Sequence, residues 1–353
     1  MGNHGGDWAG FFREYGRLPL DFSANISPLG MPEGVRQAAA QGVDPSGAYP
    51  DPHCRALREA LGADLKVDPG EVLCGNGASD LIYRLTLALR PRQTLVTAPC
   101  FSEYEAALRL SGSGIRRYPL LRAMDFRLRE DFLSWITPET ELVFLCQPNN
   151  PTGMAVPKEL LLKILGACDE KGALLVLDEC FLGFLDHPDS MTLLPFLHGH
   201  RLLILRAFTK FYGMAGLRLG YCVCEDRDLL GRMAQAGPPW SVSGPAQAAG
   251  VAAIRETAYA EALRKLIREQ RKVLYNGLLD LDLDVIPGEA NFLLFRGAPN
   301  LGERLREKGI LLRDCRDYHG LEPGWYRAAV RTGGENRKLL HAIKEVQSWQ
   351  SES

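Results

Sequence analysis

Short apolar runs alternate with amphipathic stretches through the middle of the chain, between about Glu71 and Val223. The apolar runs are, in chain order, EVLCGN, TLVTAP, ELVFLCQ, ALLVLDE, LLILRAF and GLRLGYCVC. Between them, apolar positions recur at the spacing of one helix face, as in KELLLKILGACDEKG. Strands that are apolar on both faces are typical of a parallel sheet with helices on either side. The pattern therefore predicts an α/β fold with a mostly parallel central sheet.

Two changes of pattern suggest the domain boundaries. The segment GPPWSVSGPAQ at 237–247 interrupts the alternation, and a long amphipathic helix then runs to about Leu279. The remainder mixes strand-like runs, such as ANFLLF and WYRAAVR, with helical segments. A chain of 353 residues is longer than a single core usually supports. We predict a large domain over 40–240 and a smaller α+β domain formed by 1–39 and 241–353.

Composition and charge narrow the classes of partner. The formal net charge is −2 and the basic residues are scattered, which disfavours nucleic-acid binding. No apolar run reaches the ~18 residues that span a bilayer, and MGNHGGDWAG does not resemble a signal peptide. The nine cysteines lack zinc-site spacing and mostly lie in apolar runs. We therefore expect a cytoplasmic protein with no metal, no nucleic-acid partner and no membrane segment.

Four polar residues interrupt or end the apolar runs. Asn150 lies in NPTG, Asp178 ends ALLVLDE, and Lys210 and Arg218 flank the glycines of TKFYGMAGLRLG. Taken singly, each has an ordinary explanation: a turn for Asn150, a helix cap for Asp178, surface exposure for Lys210, and an ion pair for Arg218. Ligands of open α/β sheets gather where the strands end, and all four residues follow strands of one predicted sheet. Apolar surroundings would also lower the pKa of the Lys210 amine and favour its nucleophilic, neutral form.

The segments PNNPTG, LDE and TKFYGMAGLRLG resemble the fold-type-I, aspartate-aminotransferase-like family of pyridoxal-phosphate enzymes, and the resemblance covers nearly the whole chain. It implies a large domain with a sandwiched sheet, a smaller α+β domain, and pyridoxal 5'-phosphate as cofactor. Lys210 would be the covalent anchor, Asp178 would pair with the pyridine nitrogen, and Asn150 would bind the phenolic oxygen.

The resemblance also assigns residues to the cofactor's phosphate and ring. Thr209, Arg218 and the N–H groups of Ala78 and Ser79 would bind the phosphate. Phe101 would stack on the ring, with Tyr104 as the alternative. Tyr49 would reach the cofactor phosphate of a neighbouring subunit, which implies a homodimer with shared active sites. The segment GNGASD departs from G-x-G-x-x-G, so a dinucleotide site is disfavoured.

The reaction does not follow from the fold, because this fold serves several reactions. Phe181 stands where the family's transaminases usually carry a tyrosine, and it cannot donate a hydrogen bond. Arg327 matches the position that binds the substrate carboxylate. Arg331 follows four residues on, where histidinol-phosphate enzymes have glycine, and strand alternation would place it on the same face.

The segments HGG, DFSANISPLG, DECF, PWSVS and YRAAVR resemble the threonine-phosphate decarboxylase branch of the family. This resemblance implies decarboxylation of L-threonine O-3-phosphate to (R)-1-amino-2-propanol O-2-phosphate in cobalamin biosynthesis. The substrate, a small phosphorylated amino acid, would contact His4, Gly5, Asn25, Ile26, Asn150, Arg313, Arg327 and Arg331.

Three alternatives stay open at the sequence level. O-phospho-L-serine differs from the threonine compound by one methyl group, worth only ~1 kcal/mol of selectivity. Histidinol-phosphate aminotransferase is disfavoured by Phe181 and Arg331. A non-catalytic relative would be expected to lose Lys210 or Asp178, or to carry an added DNA-binding segment, and this sequence shows neither feature. Ala207 and Ser243 replace the serine and asparagine more usual in the branch, which could change substrate choice.

Overall fold

The computed structural model describes residues 5–348, and a central sheet organises them. Its strands and those of two smaller sheets are β1 (Leu20–Asp21), β2 (Val72–Gly75), β3 (Gln93–Ala98), β4 (Gly114–Pro119), β5 (Leu142–Cys146), β6 (Leu174–Asp178), β7 (Leu202–Ala207), β8 (Gly220–Cys224), β9 (Asp284–Val285), β10 (Phe292–Arg296), β11 (Ile310–Leu311), β12 (Arg313–Asp314) and β13 (Trp325–Ala329).

The central sheet has seven strands in the order β2-β8-β7-β6-β5-β3-β4. The strands β7, β6, β5, β3 and β4 pair in parallel, whereas β8 pairs antiparallel with both β2 and β7. The predicted mostly parallel sheet is thus confirmed. The one reversed strand follows from a short connection, since the chain between β7 and β8 turns back through a single short helix instead of crossing a sheet face.

Helices cover both faces of the central sheet and also pack on the smaller sheets. They are α1 (Trp8–Tyr15), α2 (Glu33–Gln41), α3 (Arg55–Leu65), α4 (Gly77–Leu89), α5 (Ser102–Ser111), α6 (Lys158–Lys171), α7 (Pro188–Met191), α8 (Phe208–Phe211), α9 (Arg227–Gln235), α10 (Gly244–Ala253), α11 (Thr257–Leu279), α12 (Leu301–Glu307) and α13 (Gly333–Ser348). Neighbouring residues of β6 enter different cores: Leu175 packs with α6, and Val176 packs with α4 and α5. This alternation explains why the strand sequence is apolar throughout.

The C-terminal part of the chain builds a second layer. The strands β12, β13, β10 and β9 form an antiparallel sheet, whose core includes Leu263 of α11 and Leu339 of α13. The N-terminal strand β1 pairs in parallel with β11, so the start of the chain joins this layer. The predicted long helix is confirmed, since α11 ends at Leu279. Within residues 5–348, no helix is both long and apolar enough to cross a membrane.

Candidate active site

A cavity of about 310 Å³ lies at the carboxyl ends of β5, β6 and β7. Asp178 ends β6, and Lys210 lies in α8 directly after β7. The strand register pairs Asp178 with Cys146 of β5 and with Leu205 of β7, which brings these ends side by side. The cavity is lined by Gly5, Ser23, Ala24, Asn25, Ala78, Ser79, Phe101, Glu103, Cys146, Asn150, Asp178, Cys180, Phe181, Ala207, Thr209, Lys210, Arg218, Arg313, Tyr318 and Arg327.

Asp178 is a buried carboxylate that has a donor on each oxygen. The Tyr104 hydroxyl donates to Oδ2 at 2.6 Å, and the Cys180 N–H donates to Oδ1 at 3.0 Å. The residue is only 4% exposed, although it lines the cavity. A charge this deeply buried requires hydrogen bonds or an ionic partner. The arrangement therefore fits a carboxylate that pairs with a protonated ring nitrogen in the cavity.

Lys210 brings a buried amine with a lowered pKa to the site. Burial, and then the positive charges of Arg327 and Arg218, lower its pKa to about 8. At pH 7 about one tenth of the amine is then neutral, against less than about a thousandth at the ordinary lysine pKa. The backbone of the residue is also fixed, because the Ser27 N–H donates to the Lys210 carbonyl at 2.9 Å. Lys210 is thus a positioned amine with an appreciable neutral fraction.

The start of α4 forms a cradle suited to a phosphate group. Its N-cap, Asn76, makes no side-chain capping hydrogen bond, and Ala78 and Ser79 of the first turn line the cavity. A Cβ on Gly220 would lie 2.5 Å from the Ala78 nitrogen, so glycine is what lets β8 approach this turn. Arg218, exposed and at a positive φ of 58°, lines the same cavity. Free N–H groups, a helix start and a guanidinium together favour a dianion.

Arg327 is a buried cation, and neither of its two hydrogen-bond acceptors is an acid. Its Nη1 donates to Asn150 Oδ1, and its Nη2 donates to the Ser23 carbonyl at 2.9 Å. Its guanidinium also lies 5.3 Å from the ring centre of Phe292. Among residues 5–348, Nε has no hydrogen-bond partner, although Arg327 is only 6% exposed. A buried donor left unpaired in a cavity wall is costly, so Arg327 is suited to an anionic ligand.

Arg313 supplies the third guanidinium of the cavity, and it forms an ion pair with Asp317. Its Nη2 donates to both carboxylate oxygens of Asp317, at 2.9 and 2.8 Å. The guanidinium also lies 5.1 Å from the ring centre of Tyr318, which lines the cavity as well. Together with Arg218 and Arg327, it gives the cavity three guanidinium groups.

The N-terminal segment reaches the cavity through Ser23. Gly6 N–H donates to Ser23 Oγ at 2.8 Å, and that hydroxyl donates to Asp21 Oδ1 at 2.6 Å. A Cβ on Gly5 would lie 2.2 Å from the Ser23 carbonyl oxygen, so only glycine fits there. Because the same carbonyl accepts from Arg327, the segment is connected to the wall of the site. Gly5 is therefore placed at the cavity, while His4 lies outside the described residues.

The side-chain amide of Asn25 lies in the cavity wall without hydrogen-bond partners among residues 5–348. The residue is 2% exposed and lines the cavity, yet neither Nδ2 nor Oδ1 has a partner among residues 5–348. Its carbonyl accepts from Asn291 Nδ2 at 3.1 Å, which fixes the backbone. Buried amides are nearly always paired, so this one has hydrogen-bonding capacity available to a ligand.

Three residues predicted from sequence do not line the cavity. Ile26 is partly buried next to Asn25. Tyr49 is 78% exposed and stacks on Trp240 at 4.5 Å between ring centres. Arg331 pairs with Glu335 at 2.7 Å. Because β13 ends at Ala329, Arg331 lies beyond the strand, and strand alternation does not determine its side relative to Arg327.

The aromatic residues of the site divide between its wall and its support. Phe101 and Phe181 line the cavity, whereas Tyr104 lies behind it and contacts Asp178. Sequence reasoning did not assign a role to Ser23 or Tyr318, and it considered Tyr104 only for stacking. Tyr104 and Ser23 contact Asp178 and Arg327, which are distant in sequence, so no local motif indicates their roles. Tyr318 lies against Arg313, its near neighbour in sequence. Thr209 is buried and lines the cavity near Lys210, in line with its predicted position.

Comparisons with known proteins identify the family. Residues 19–346 match the family model described as Aminotransferase class I and II. A threonine-phosphate decarboxylase of Salmonella typhimurium is 39% identical over 332 residues, covering 93% of this chain and 91% of that protein. The adenosylcobalamin biosynthesis bifunctional protein CobDQ of Leptospira interrogans is 30% identical, covering 97% of this chain but 41% of that protein.

A solved structure has a similar fold. The crystal structure of the histidinol-phosphate aminotransferase from Clostridium acetobutylicum superposes with a TM-score of 0.86 at 27% identity, covering 93% of this chain and 98% of that chain. The mostly parallel sheet and the cavity at its strand ends fit this relationship. The chain belongs to the class I and II aminotransferase family.

Proposed function

We propose that this protein decarboxylates L-threonine O-3-phosphate with pyridoxal 5'-phosphate, giving (R)-1-amino-2-propanol O-2-phosphate and carbon dioxide in cobalamin biosynthesis. One observation carries the proposal: Lys210 and Asp178 share a cavity with Arg218, Arg313 and Arg327. The likeness to the Salmonella threonine-phosphate decarboxylase, at 39% identity, supports the same reaction.

The charges of the ligands match those of the cavity. A phosphate monoester carries about −1.5 to −2 charges at pH 7. The cofactor and the substrate would each bring one such group, and the substrate adds a carboxylate. Arg218 and the first turn of α4 would hold the cofactor phosphate. Arg313 and Arg327 would then remain for the two anionic groups of the substrate, with Asn25 as a neutral hydrogen-bonding partner.

Pyridoxal phosphate, when bound, supplies an electron sink for the bond that breaks at the substrate's α-carbon. Asp178 would favour the sink by keeping a negative charge against the ring nitrogen. Lys210 would anchor the cofactor. Lys210 lines the cavity, so its Nζ would be available to hold the proton that replaces the lost carboxylate. Its pKa of about 8 suits transfer in either direction near neutral pH.

Phe181 favours decarboxylation over transamination. Its ring lines the cavity, is 6% exposed, and packs edge-on against Phe292 at 5.1 Å between ring centres. It offers no hydroxyl to the cofactor, unlike the tyrosine that the resemblance gives to transaminases. A keto acid acceptor is therefore not expected to be required.

The test measures carbon dioxide release from O-phospho-L-threonine and O-phospho-L-serine, side by side, with pyridoxal phosphate and no keto acid. We expect release with the threonine compound, and Lys210→Ala as a control should release none. Comparing kcat/KM for the two substrates shows which is preferred. If neither is decarboxylated, and histidinol phosphate is consumed once 2-oxoglutarate is added, the protein is an aminotransferase.

A homodimer with shared sites is part of the proposal. Tyr49 is exposed in the single chain, which fits a residue that reaches a partner's cofactor. Mixing two inactive variants, Tyr49→Phe and Lys210→Ala, tests this directly. A mixed dimer holds one site with both native residues if Tyr49 acts across the interface, so activity returns. No recovery after dissociation and reassociation would place Tyr49 outside the partner's site.

The proposed reaction would take place in the cytoplasm. The chain has nine cysteines, and all of them are free thiols. This usage is typical of a reducing compartment.

A further inference from the structure

Tyr104 makes the shortest hydrogen bond to Asp178 at the site. Its hydroxyl donates to Oδ2 at 2.6 Å, within the range of a strong, charge-assisted hydrogen bond. Tyr104 does not line the cavity, so it would not touch a ligand there. The Tyr104 hydroxyl therefore reaches the cavity through Asp178, whereas the ring contacts Phe101, which lines the cavity.

Packing holds the Tyr104 ring in one place. The residue lies on α5 and is fully buried. Its ring stacks on Phe144 of β5 at 4.8 Å and 8°, and it meets Phe101 edge-on at 5.6 Å. Phe144 belongs to the central sheet two residues before the end of its strand. The hydroxyl is thus positioned by rigid elements, and a phenylalanine would keep both ring contacts.

The proton of this hydrogen bond stays on the tyrosine. Burial and the nearby Asp178 charge raise the pKa of Tyr104 well above its ordinary value of 10. The thiols of Cys146 and Cys180 also face this pair, and burial raises the pKa of each. The Tyr104 hydroxyl and the two thiols therefore stay protonated at neutral pH.

The two donors fix the plane of the carboxylate. Oδ2 accepts from Tyr104, and Oδ1 accepts from the Cys180 N–H at 3.0 Å. A carboxylate oxygen can accept more than one hydrogen bond, so lone pairs remain available to a ligand. Donors to an ionised carboxylate favour its charged form.

We propose that Tyr104 is a positioning residue that holds the Asp178 carboxylate in the correct orientation for the ring nitrogen of the cofactor. The proposal rests on the proposed function for the identity of the cofactor. Without the hydroxyl, the Asp178 carboxylate would rotate more freely and would be less well aligned with the ring nitrogen. Catalysis would then slow, whereas substrate contacts on the arginines would remain.

Tyr104→Phe tests the proposal, with Tyr118→Phe as the matched control. Tyr118 is also a buried tyrosine whose hydroxyl donates to an aspartate, Asp131, but neither residue lines the cavity. A hydrogen bond to a charged group is worth about a ten- to hundred-fold change in rate. We expect kcat to fall by about that factor in Tyr104→Phe, with KM nearly unchanged, and no comparable fall in Tyr118→Phe. An equal kcat in both variants would overturn the proposal.

A double-mutant cycle separates positioning from general stability. If Tyr104 acts through Asp178, then Tyr104→Phe should cost almost nothing in an Asp178→Asn background. Full additivity of the two losses would refute the proposed route. The comparison stays valid even if Tyr104→Phe lowers the melting temperature. A loss of activity that came only from lower stability would appear in both the native and the Asp178→Asn backgrounds.

The visible absorbance of the bound cofactor gives a readout that does not depend on turnover. Its pH titration reports the protonation of the cofactor, so it should shift in Tyr104→Phe and stay unchanged in Tyr118→Phe. An unchanged titration would count against Tyr104. If the native protein decarboxylates neither phospho-amino acid, the proposed function fails, but a shifted titration would still establish the role of Tyr104.

Discussion

Arg327 is expected to control the protonation of Lys210 as well as to bind substrate. Its positive charge is the largest cause of the lowered Lys210 pKa after burial, and the charge of Arg218 comes next. Arg327→Gln removes that charge while keeping a polar side chain beside Asn150. The pKa of Lys210 should therefore rise from about 8 toward the ordinary value of 10.5. It should not reach that value, because burial persists.

The size of the effect can be worked out in terms of the neutral amine. With a pKa of about 8, about one tenth of Lys210 is neutral at pH 7. Burial, Arg327 and Arg218 lower the Lys210 pKa, and burial is the largest of these causes. Removing the Arg327 charge alone should therefore reduce the neutral fraction about three- to ten-fold. The rate at which the amine attacks a carbonyl or acylating reagent should fall by the same factor at pH 7. At pH 11 the two proteins should react alike, since the amine is then largely neutral in both.

The assay labels the cofactor-free protein with a neutral acylating reagent between pH 6 and 11. Mass spectrometry of the peptide that contains Lys210 gives the labelling rate at each pH. Arg331→Gln is the matched control, because Glu335 already pairs with that guanidinium. Only Arg327→Gln should move the midpoint upward. A midpoint near 10.5 in the native protein, or one that is equal in native and Arg327→Gln proteins, would refute the reasoning.

Three further predictions concern single side chains. Asp178→Asn should keep the cofactor bound but lower kcat by at least about a hundred-fold, as measured by absorbance and turnover; an unchanged kcat would contradict the assigned role. Arg313→Gln should raise KM for the phosphorylated substrate about ten-fold or more, and more than Arg331→Gln does, because only Arg313 lines the cavity. Glu179→Gln breaks a buried ion pair with Arg206, 2.7 Å between charged atoms, and should cost about 3 kcal/mol of stability. A melting temperature within a degree of the native protein would contradict it.

The central sheet could be predicted because its strands carry a strong local pattern. Runs such as LLVLD of β6 are apolar at every position but the last, and the structure buries them on both faces. Lys210 and Asp178 then stand out because they end or interrupt such runs. Parallel strands end at one edge of a sheet, so residues distant in sequence were expected to meet there, and they do.

The rest of the site depends on contacts that no local pattern encodes. Tyr104 and Asp178 are 74 positions apart, and Arg327 meets Ser23 across 304 positions. The first contact depends on how α5 packs on the central sheet, and the second on how the N-terminal segment joins the second layer. Arg331 shows the limit of period-two reasoning, since alternation applies only while a strand continues and β13 stops two residues earlier.

Product analysis in deuterium oxide tests the central claim most directly. The protein would be incubated with pyridoxal phosphate and O-phospho-L-threonine, without a keto acid, and the products examined by mass spectrometry and NMR. Decarboxylation replaces the carboxylate with a solvent hydron, so we predict 1-amino-2-propanol phosphate that carries a single deuterium on the amine-bearing carbon. Recovery of the intact phospho-amino acid, whether or not its α-hydrogen has exchanged, would contradict the account.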